Sequence, residues 1–251
     1  MRTVTLLLML ALMLPAVASA AQPAAEVTMA VGLNTATSPA GAMRQLKRGD
    51  GVFVQETLGT GPNSYLNIRL TDGSFVLLRP ASRFIIEKYA YVAADRAADR
   101  AAASPTPAPA APRVEAADAP RSGVLMRLMR GGFRAVSGAI GHRDPEASLV
   151  ETPIATIGIR GTDYVAVLCD AACALDPVVA QGLPAGAAAE DSLVAGVIEG
   201  SIVLTGNEGG AQSQVLPDQF VLGTRGGGFA PLAGQPRFLR TDPIPNPRTC
   251  Q

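Results

Sequence analysis

The chain has 251 residues, of which 21 are basic and 21 acidic, so its formal charge at pH 7 is zero. This balance argues against binding to nucleic acid or to an anionic membrane surface, both of which attract basic proteins. The sequence contains 26 Gly and 20 Pro but no Trp, a composition typical of one core of moderate size with many turns and some unstructured connections.

The N-terminus has the three parts of a secretory signal peptide. Arg2 supplies a positive charge, an apolar run covers residues 4–17, and Ala18-Ser19-Ala20 forms a small-x-small cleavage site. We therefore predict a cleaved signal peptide over 1–20, a periplasmic or secreted location and no membrane span after cleavage. The alternative is an uncleaved anchor, but Pro15 interrupts the run, which is shorter than the roughly 20 apolar residues that span a bilayer.

Residues 21–40 are interpreted as a lead-in, and clear strand signals follow. Residues 65–70 alternate strictly, with Leu and Ile on one face, as a half-buried strand requires. Asp72-Gly73 comes next and predicts a hairpin, because such turns need a positive φ that Gly adopts freely. A second strand is expected at 75–78. Further strand candidates in this block are residues 51–55 and 84–91.

Composition changes abruptly at Ala93. Residues 93–122 begin with two Ala-Ala-Asp-Arg repeats, compatible with a turn or two of helix, and continue as a Pro-rich stretch that predicts an extended or disordered insertion. Residues 171–191 are interpreted as a second, loose insertion. Residues 223–251 are Gly- and Pro-rich and predict a tail, in which Phe229 and Phe238 are candidates for docking on the domain.

The rest of the chain again has the pattern of short strands. Its strand candidates are residues 124–128, 132–137, 149–159, 163–168, 193–204 and 214–222. Many short strands with Gly-containing turns, and no long amphipathic helix, predict an all-β fold, a single β-sandwich or roll. A short β-solenoid-like wrap is the alternative, because Gly49, Gly131 and Gly200 each follow a charged residue just ahead of an apolar run.

Three cysteines are present, at positions 169, 173 and 250. Since an exported chain meets an oxidising compartment, we predict a Cys169–Cys173 disulfide that leaves Cys250 free. So short a loop gives only about 2 kcal/mol in the chain-entropy model, so the bridge is expected to pin a loop. A redox-active pair is the alternative, although no thioredoxin-like βαβ pattern surrounds it.

The search for catalytic groups is mostly negative. His142 is the single His and lies in a turn-like segment, so a Ser-His-Asp triad or a His-based metal site has too few candidates. Paired carboxylates leave an envelope carbohydrate or ester hydrolase as an alternative, although Asp is also favoured in turns for its backbone hydrogen bonds. We predict a protein that is not an enzyme and that holds no cofactor or metal.

Arginines are concentrated in one stretch of strand signals. Arg127, Arg130 and Arg134 are candidate anion contacts, because a row of guanidinium groups on one sheet face can hold a carboxylate or phosphate bidentately. The alternative is a solvated outer face in which these groups pair with Asp and Glu.

Two segments carry short motifs in a fixed order. Their residues are Gly49, Asp50, Asp72, Gly73, Ser74, Thr152, Pro153, Gly158, Arg160, Gly161, Thr162 and Asp163. In this order they resemble the FecR domain, the periplasmic part of iron-transport sigma-factor regulators. The resemblance covers residues 41–222 without the two insertions and implies a β-sandwich-like, non-catalytic domain. Tight turns and local backbone hydrogen bonds explain these residue types without a ligand.

The expected function is that of a protein-binding or scaffold module in the cell envelope. The resembling regulators have a cytoplasmic anti-sigma segment and a transmembrane helix ahead of this domain, where this chain has a predicted signal peptide. We therefore expect it to act through a partner, an envelope protein or cell-wall component, offering a sheet edge or loop and adding a strand. An accessory role in envelope signalling is one alternative, and the hydrolase is the second.

Overall fold

The computed structural model describes residues 22–102, 121–226, 228–241 and 244–249. The predicted signal peptide, residues 103–120 of the predicted insertion and Cys250 lie outside the described residues. The described chain is mostly β-structure, which confirms the predicted all-β fold class. None of its described helices has the length and apolar character needed to cross a membrane.

Regular structure in the described chain consists of short strands and a few short helices. The strands are β1 (Ala25–Val31), β2 (Asn34–Thr37), β3 (Met43–Gln45), β4 (Gly51–Val52), β5 (Thr57–Thr60), β6 (Tyr65–Leu70), β7 (Phe75–Leu78), β8 (Arg83–Ala90), β9 (Gly123–Arg130), β10 (Gly132–Val136), β11 (Ser148–Glu151), β12 (Ala155–Leu168), β13 (Ser192–Gly206), β14 (Gln212–Val215), β15 (Phe220–Thr224) and β16 (Phe229–Pro231). The helices are α1 (Ala93–Ala102), α2 (Ala139–Arg143), α3 (Ala171–Ala174), α4 (Pro177–Gly182) and α5 (Arg237–Thr241).

One continuous sheet folds over on itself into two layers. The first layer follows the order β3-β2-β5-β8-β9-β11, the first half of β12, the second half of β13, and β14. The second layer follows β4-β1-β6-β7-β10, the second half of β12, the first half of β13, β15 and β16. Only the β9–β11 pair is parallel among the described strand pairs. A solenoid stacks parallel strands, so the sandwich is the form observed.

The two long strands β12 and β13 cross together from one layer to the other. Their pairing shifts register between Arg160 and Tyr164. At this bulge Gly161 and Gly200 both have positive φ values, of 60° and 80°. A bulge of this kind bends a strand pair and increases its twist, which lets one hairpin join both layers.

The core lies between the two layers and is centred on three aromatic rings. Phe84 of the first layer meets Phe133 of the second edge-on, with ring centroids 5.6 Å apart. Phe133 meets Tyr164 in the same geometry, also at 5.6 Å. All three side chains are fully buried. Each such edge-to-face pair adds about 0.5–1.5 kcal/mol to the free energy gained by burial.

The outer face of the second layer is covered by chain that the sequence predicts to be loose. Segment 171–191 contains α3 and α4, whose first turns are capped by the carboxylates of Asp170 and Asp176. These helices and the C-terminal segment pack on the sheet in a second apolar cluster. Its buried members are Leu77, Val165, Val167, Cys169, Cys173, Val179, Val194, Phe220, Leu222, Leu239 and Ile244.

Described parts of segment 223–251, which was predicted as a tail with Phe229 and Phe238 as docking candidates, also pack on the sheet. They contribute β16 and α5, and Phe229 and Phe238 pack against the first and second apolar clusters. At the other end of the chain, β1 and β2 fall within the predicted lead-in but pair with β6 and β5. Long-range strand pairing, which composition does not reveal, extends the folded unit in both directions.

Candidate functional site

The first motif segment holds the start of α2. The Asp72 carboxylate accepts a hydrogen bond from the backbone N–H of Ile140 (3.3 Å) and one from the Ser74 hydroxyl (2.8 Å). The Ser74 hydroxyl oxygen accepts from the N–H of Gly138 at 2.9 Å. Gly73, with φ of 86°, makes the turn between these two side chains. The motif thus satisfies backbone donors at a helix N-terminus.

The second motif segment contacts the same stretch of chain, residues 137–142, from the other side. The N–H of Thr162 donates to the Ser137 hydroxyl at 2.6 Å, and the N–H of Ser137 donates to the Thr162 carbonyl at 2.9 Å. The Thr162 hydroxyl donates to the Ser201 carbonyl at 2.6 Å. The imidazole of His142 lies against Gly161, where a Cβ atom would be 2.6 Å from Nδ1. The two motif segments are therefore joined through residues 137–142.

Asp163 of the second motif forms a bidentate ion pair with Arg134. Both guanidinium–carboxylate hydrogen bonds measure 2.8 Å, and the two side chains are only 15% and 7% exposed. The same guanidinium donates to the carbonyl of Ile244 at 2.9 Å. This pair therefore connects β10, β12 and the C-terminal segment.

The remaining motif residues also make contacts within the fold. The Thr152 hydroxyl accepts hydrogen bonds from the N–H groups of Ile154 and Ala155, so that the chain turns at Pro153. The Asp50 carboxylate accepts from the N–H of Lys47 at 2.9 Å, closing the turn that contains Gly49. Two others stand on strands: Gly158 pairs with Leu149 and Val203, and Arg160 is exposed opposite Ser201.

A groove of about 450 Å³ on the first layer is lined by Glu151 and Arg127, and Glu87 lies next to Arg127. Arg127 stands between the two carboxylates, 3.0 Å from Glu87 and 2.7 Å from Glu151. Thr156 and Asn207 line the other wall. Both carboxylates are thus paired with one guanidinium, whereas a glycosidase needs one carboxyl group as acid and a second as nucleophile or base. The groove therefore does not favour the hydrolase alternative.

The three candidate anion contacts do not share a site. Arg127 holds Glu87 and Glu151, while Arg134 holds Asp163 and lies under the C-terminal segment. Arg130 is exposed at the rim of a different groove, beside Arg83. Because β11 and β12 separate β9 from β10 in the sheet, proximity in sequence does not bring these side chains together. The sequence interpretation is revised accordingly: two of the three are partners of carboxylates.

The structure joins Cys169 and Cys173 in a disulfide, with their Cα atoms 5.1 Å apart. Both residues are buried in the second apolar cluster, at 7% and 1% exposure. Asp170 accepts a hydrogen bond from the N–H of Cys173, which fixes the intervening turn. Burial restricts access of a second thiol, so this location does not favour the redox-active alternative.

The helices α3–α5 pack over the outer face of the second layer. No described segment packs in this way over the outer face of the first layer, which is a large sheet surface. One row of outward-facing residues crosses all nine strands of this layer in direct register. It consists of Met43, Thr37, Thr57, Ile85, Arg127, Glu151, Thr156, Thr205 and Gln212. At about 4.8 Å per strand the row is about 38 Å long. Its only opposite charges pair with each other, which leaves a neutral surface of hydroxyls, amides and half-buried apolar groups.

Sequence reasoning did not identify this row. Its signal was the recurrence of Thr at the polar positions of separate strands, as at Thr37, Thr57, Thr156 and Thr205. The alternation places each residue on a strand face, but only the sheet order brings the four strands into one surface.

Among the described residues, no three His, Cys, Asp or Glu side chains come together as a metal site. Neither a protein-family model nor a curated protein matches the sequence. Two crystal structures of a proposed anti-sigma factor from Parabacteroides distasonis ATCC 8503, at 2.50 and 1.65 Å resolution, are similar to the chain. Both share 12% identity with it, and their TM-scores are 0.44 and 0.43. The match covers 74% of this chain and 62% of theirs. A likeness of this size does not assign a function.

Proposed function

We propose that this chain is an exported, non-catalytic, FecR-like β domain that binds an envelope protein through the outer face of its first layer. The observation that carries the proposal is the unequal cover of the two sheet faces. Helices and the C-terminal segment pack on the second layer, whereas the first layer offers the nine-residue row to solvent.

The chemistry of the row fits a protein partner. Thr hydroxyls and Gln amides can pair with polar groups of a partner, while half-buried Ile85 and exposed Met43 supply apolar area. Such a mixture is typical of a non-obligate protein interface, which is no more apolar than the rest of a protein surface. Most of the motif residues lie away from this surface and make contacts within the fold, whereas Thr152 and Pro153 line the groove and Arg160 is exposed on the same face of β12 as Thr156.

A photo-crosslinking amino acid introduced at Thr57 or Thr156 tests the proposal in the envelope fraction. We expect both positions to capture the same protein, identified by mass spectrometry and then shown to bind the purified chain. Glu190, exposed in a segment beside α3 on the opposite side of the sandwich, provides the matched control and should not capture it. Equal capture from Glu190, or binding that survives Thr156→Arg in the purified pair, would contradict the proposed face.

An accessory role in envelope signalling is the second candidate, and the FecR-like order of motifs favours it. It predicts that the captured partner is a component of a signalling complex. Turnover of a polysaccharide or ester that is lost in Glu151→Gln would instead support the hydrolase alternative.

A further inference from the structure

The described sheet ends in four terminal strands, β3, β4, β14 and β16, and three of them are protected. At one end, Arg44 of β3 donates to the Gly51 carbonyl of β4 at 2.7 Å and pairs with Glu56 at 2.8 Å. This bridge ties the edges of the two layers together. At the other end of the second layer, β16 is three residues long and contains Pro231, which has no N–H to offer.

The fourth edge, β14, has none of these protections. It contains four residues, Gln-Ser-Gln-Val, without a charge or a Pro. Among the described residues it pairs only with β13, and no described side chain bonds to its backbone. Gln212 and Gln214 are exposed, and Leu216, which follows the strand, is 44% exposed. Native proteins blunt such edges with charges, Pro or bulges, because an open edge pairs with other chains.

We propose that β14 pairs with β14 of a second copy of this chain, in antiparallel orientation about a twofold axis. The neutral strand suits its own copy, since like charges opposite each other would destabilise the pair and none is present. Pairing centred on Gln214 places this residue opposite Gln214 of the second copy and Leu216 opposite Gln212, which covers part of the exposed surface of Leu216.

Symmetry also explains why the assembly stops at two copies. A twofold interface uses the same patch on both chains, and β14 is the one terminal strand of the described sheet without such protection. Pairing therefore uses β14 of both copies, so this strand cannot pair with a third copy. Pairing also joins the two first layers into one continuous sheet, so that two binding faces lie side by side. This inference goes beyond the proposed function, which one copy alone could perform.

Sedimentation velocity of the purified chain tests the pairing. An interface of this small size is weak, so we expect a monomer–dimer equilibrium with a dissociation constant between about 1 μM and 1 mM. Gln212→Lys/Gln214→Lys places like charges across the axis and should weaken dimerisation at least about tenfold. The corresponding Glu/Glu variant should behave in the same way, and an equimolar mixture of the two should restore a 1:1 dimer.

Gln45→Lys serves as the control, because it adds an exposed charge to the closed edge at β3 and should leave the equilibrium unchanged. A chain that stays monomeric up to about 500 μM overturns the inference. So does a dimer that persists in the Lys/Lys variant, or a charge-swapped mixture that fails to associate. Gln214→Lys alone places the two new charges opposite each other and leaves Gln212 of the row unchanged. Crosslinking from Thr57 and Thr156 in this single variant therefore reports on the proposed function separately, so the two can fail independently.

Discussion

Two arginine–carboxylate pairs that differ in burial show how much single residues contribute to the stability of the fold. Arg134–Asp163 is bidentate, nearly buried and also holds the C-terminal segment, whereas Arg127–Glu151 lies on the open face with both side chains more than a third exposed. Breaking a buried pair leaves an uncompensated charge. An exposed pair is screened by water and contributes little.

We therefore expect Asp163→Asn to lower the free energy of unfolding by about 3 kcal/mol. Glu151→Gln, the matched change in the exposed pair, should cost less than about 1 kcal/mol. Urea denaturation of both variants measures the difference. Equal losses would mean that the Arg134–Asp163 pair is hydrated in solution.

The hydroxyl of Tyr164 is buried and has no hydrogen-bond partner among the described residues. Removing a buried polar group that lacks a partner removes its desolvation penalty. We expect Tyr164→Phe to raise the free energy of unfolding by about 1 kcal/mol. Tyr89→Phe is the control, because that hydroxyl accepts from the N–H of Asp72 at 2.8 Å and lies 2.8 Å from the Thr71 hydroxyl. In the Tyr89→Phe variant, the free energy of unfolding should decrease by about 1 kcal/mol in the same denaturation measurement. Loss of stability in both variants would contradict the interpretation.

The same two tyrosines predict how stability depends on pH. Burial, and to a smaller extent the charge of Asp72, raises the pKa of Tyr89 above its ordinary value of 10.0, and burial raises the pKa of Tyr164. Both phenols stay protonated in the folded chain while they ionise in the unfolded chain above about pH 10. The stability that these two protonated phenols contribute is therefore fully present below about pH 10 and decreases as the pH rises above that value. Between about pH 8 and about pH 11, the free energy of unfolding measured by denaturation should fall less in Tyr89→Phe/Tyr164→Phe than in the unsubstituted chain. An equal fall in both chains would show that these two phenols do not cause the pH dependence.

At the scale of strands and turns, local sequence patterns predicted one hairpin correctly but did not predict every strand boundary. The strict alternation of β6 and the Asp72-Gly73 turn gave the first hairpin with its correct limits. Residues 149–159 were predicted as one strand, but the Thr152 hydroxyl turns the chain there and separates β11 from β12. No break follows at Gly161, because this Gly forms a bulge opposite Gly200 and not a turn.

The three similar glycines noted in the sequence all have positive φ, yet their surroundings differ. Around Gly49 nothing lies within reach of an added Cβ atom, whereas at Gly200 that atom would collide with the carbonyl oxygen of Gly161. We expect Gly49→Ala to cost about 1–2 kcal/mol from backbone strain alone. Gly200→Ala should cost about 3 kcal/mol or more, because overpacking is added. Thermal denaturation compares them, and equal costs would mean that the bulge relaxes freely.

For the molecule as a whole, the all-β class was predictable but the covering of its faces was not. The alternation in β6 puts Asn67 on the polar side of the strand, yet Asn67 is fully buried and its amide donates to the Pro247 carbonyl at 2.8 Å. A contact across 180 residues leaves no trace in local periodicity. The open face of the first layer could not be predicted for the same reason, since it is defined by what packs elsewhere.

The C-terminal segment therefore decides where the folded unit ends. Deleting residues 235–251 removes Leu239 and Ile244 from the second apolar cluster and frees Asn67 and Arg134 from their carbonyl partners. Burial of two such apolar side chains is worth about 3–6 kcal/mol, so the truncated chain should be less stable by an amount in this range and should bind a hydrophobic dye. Full-length Leu239→Ser/Ile244→Ser should reproduce most of the loss, because it removes the packing and keeps the length. If the truncated chain melted like the intact one, the domain would end near residue 222, as its composition suggested. A large loss in both variants instead makes the last 17 residues a structural cover of the second layer, and the first layer the face left for a partner.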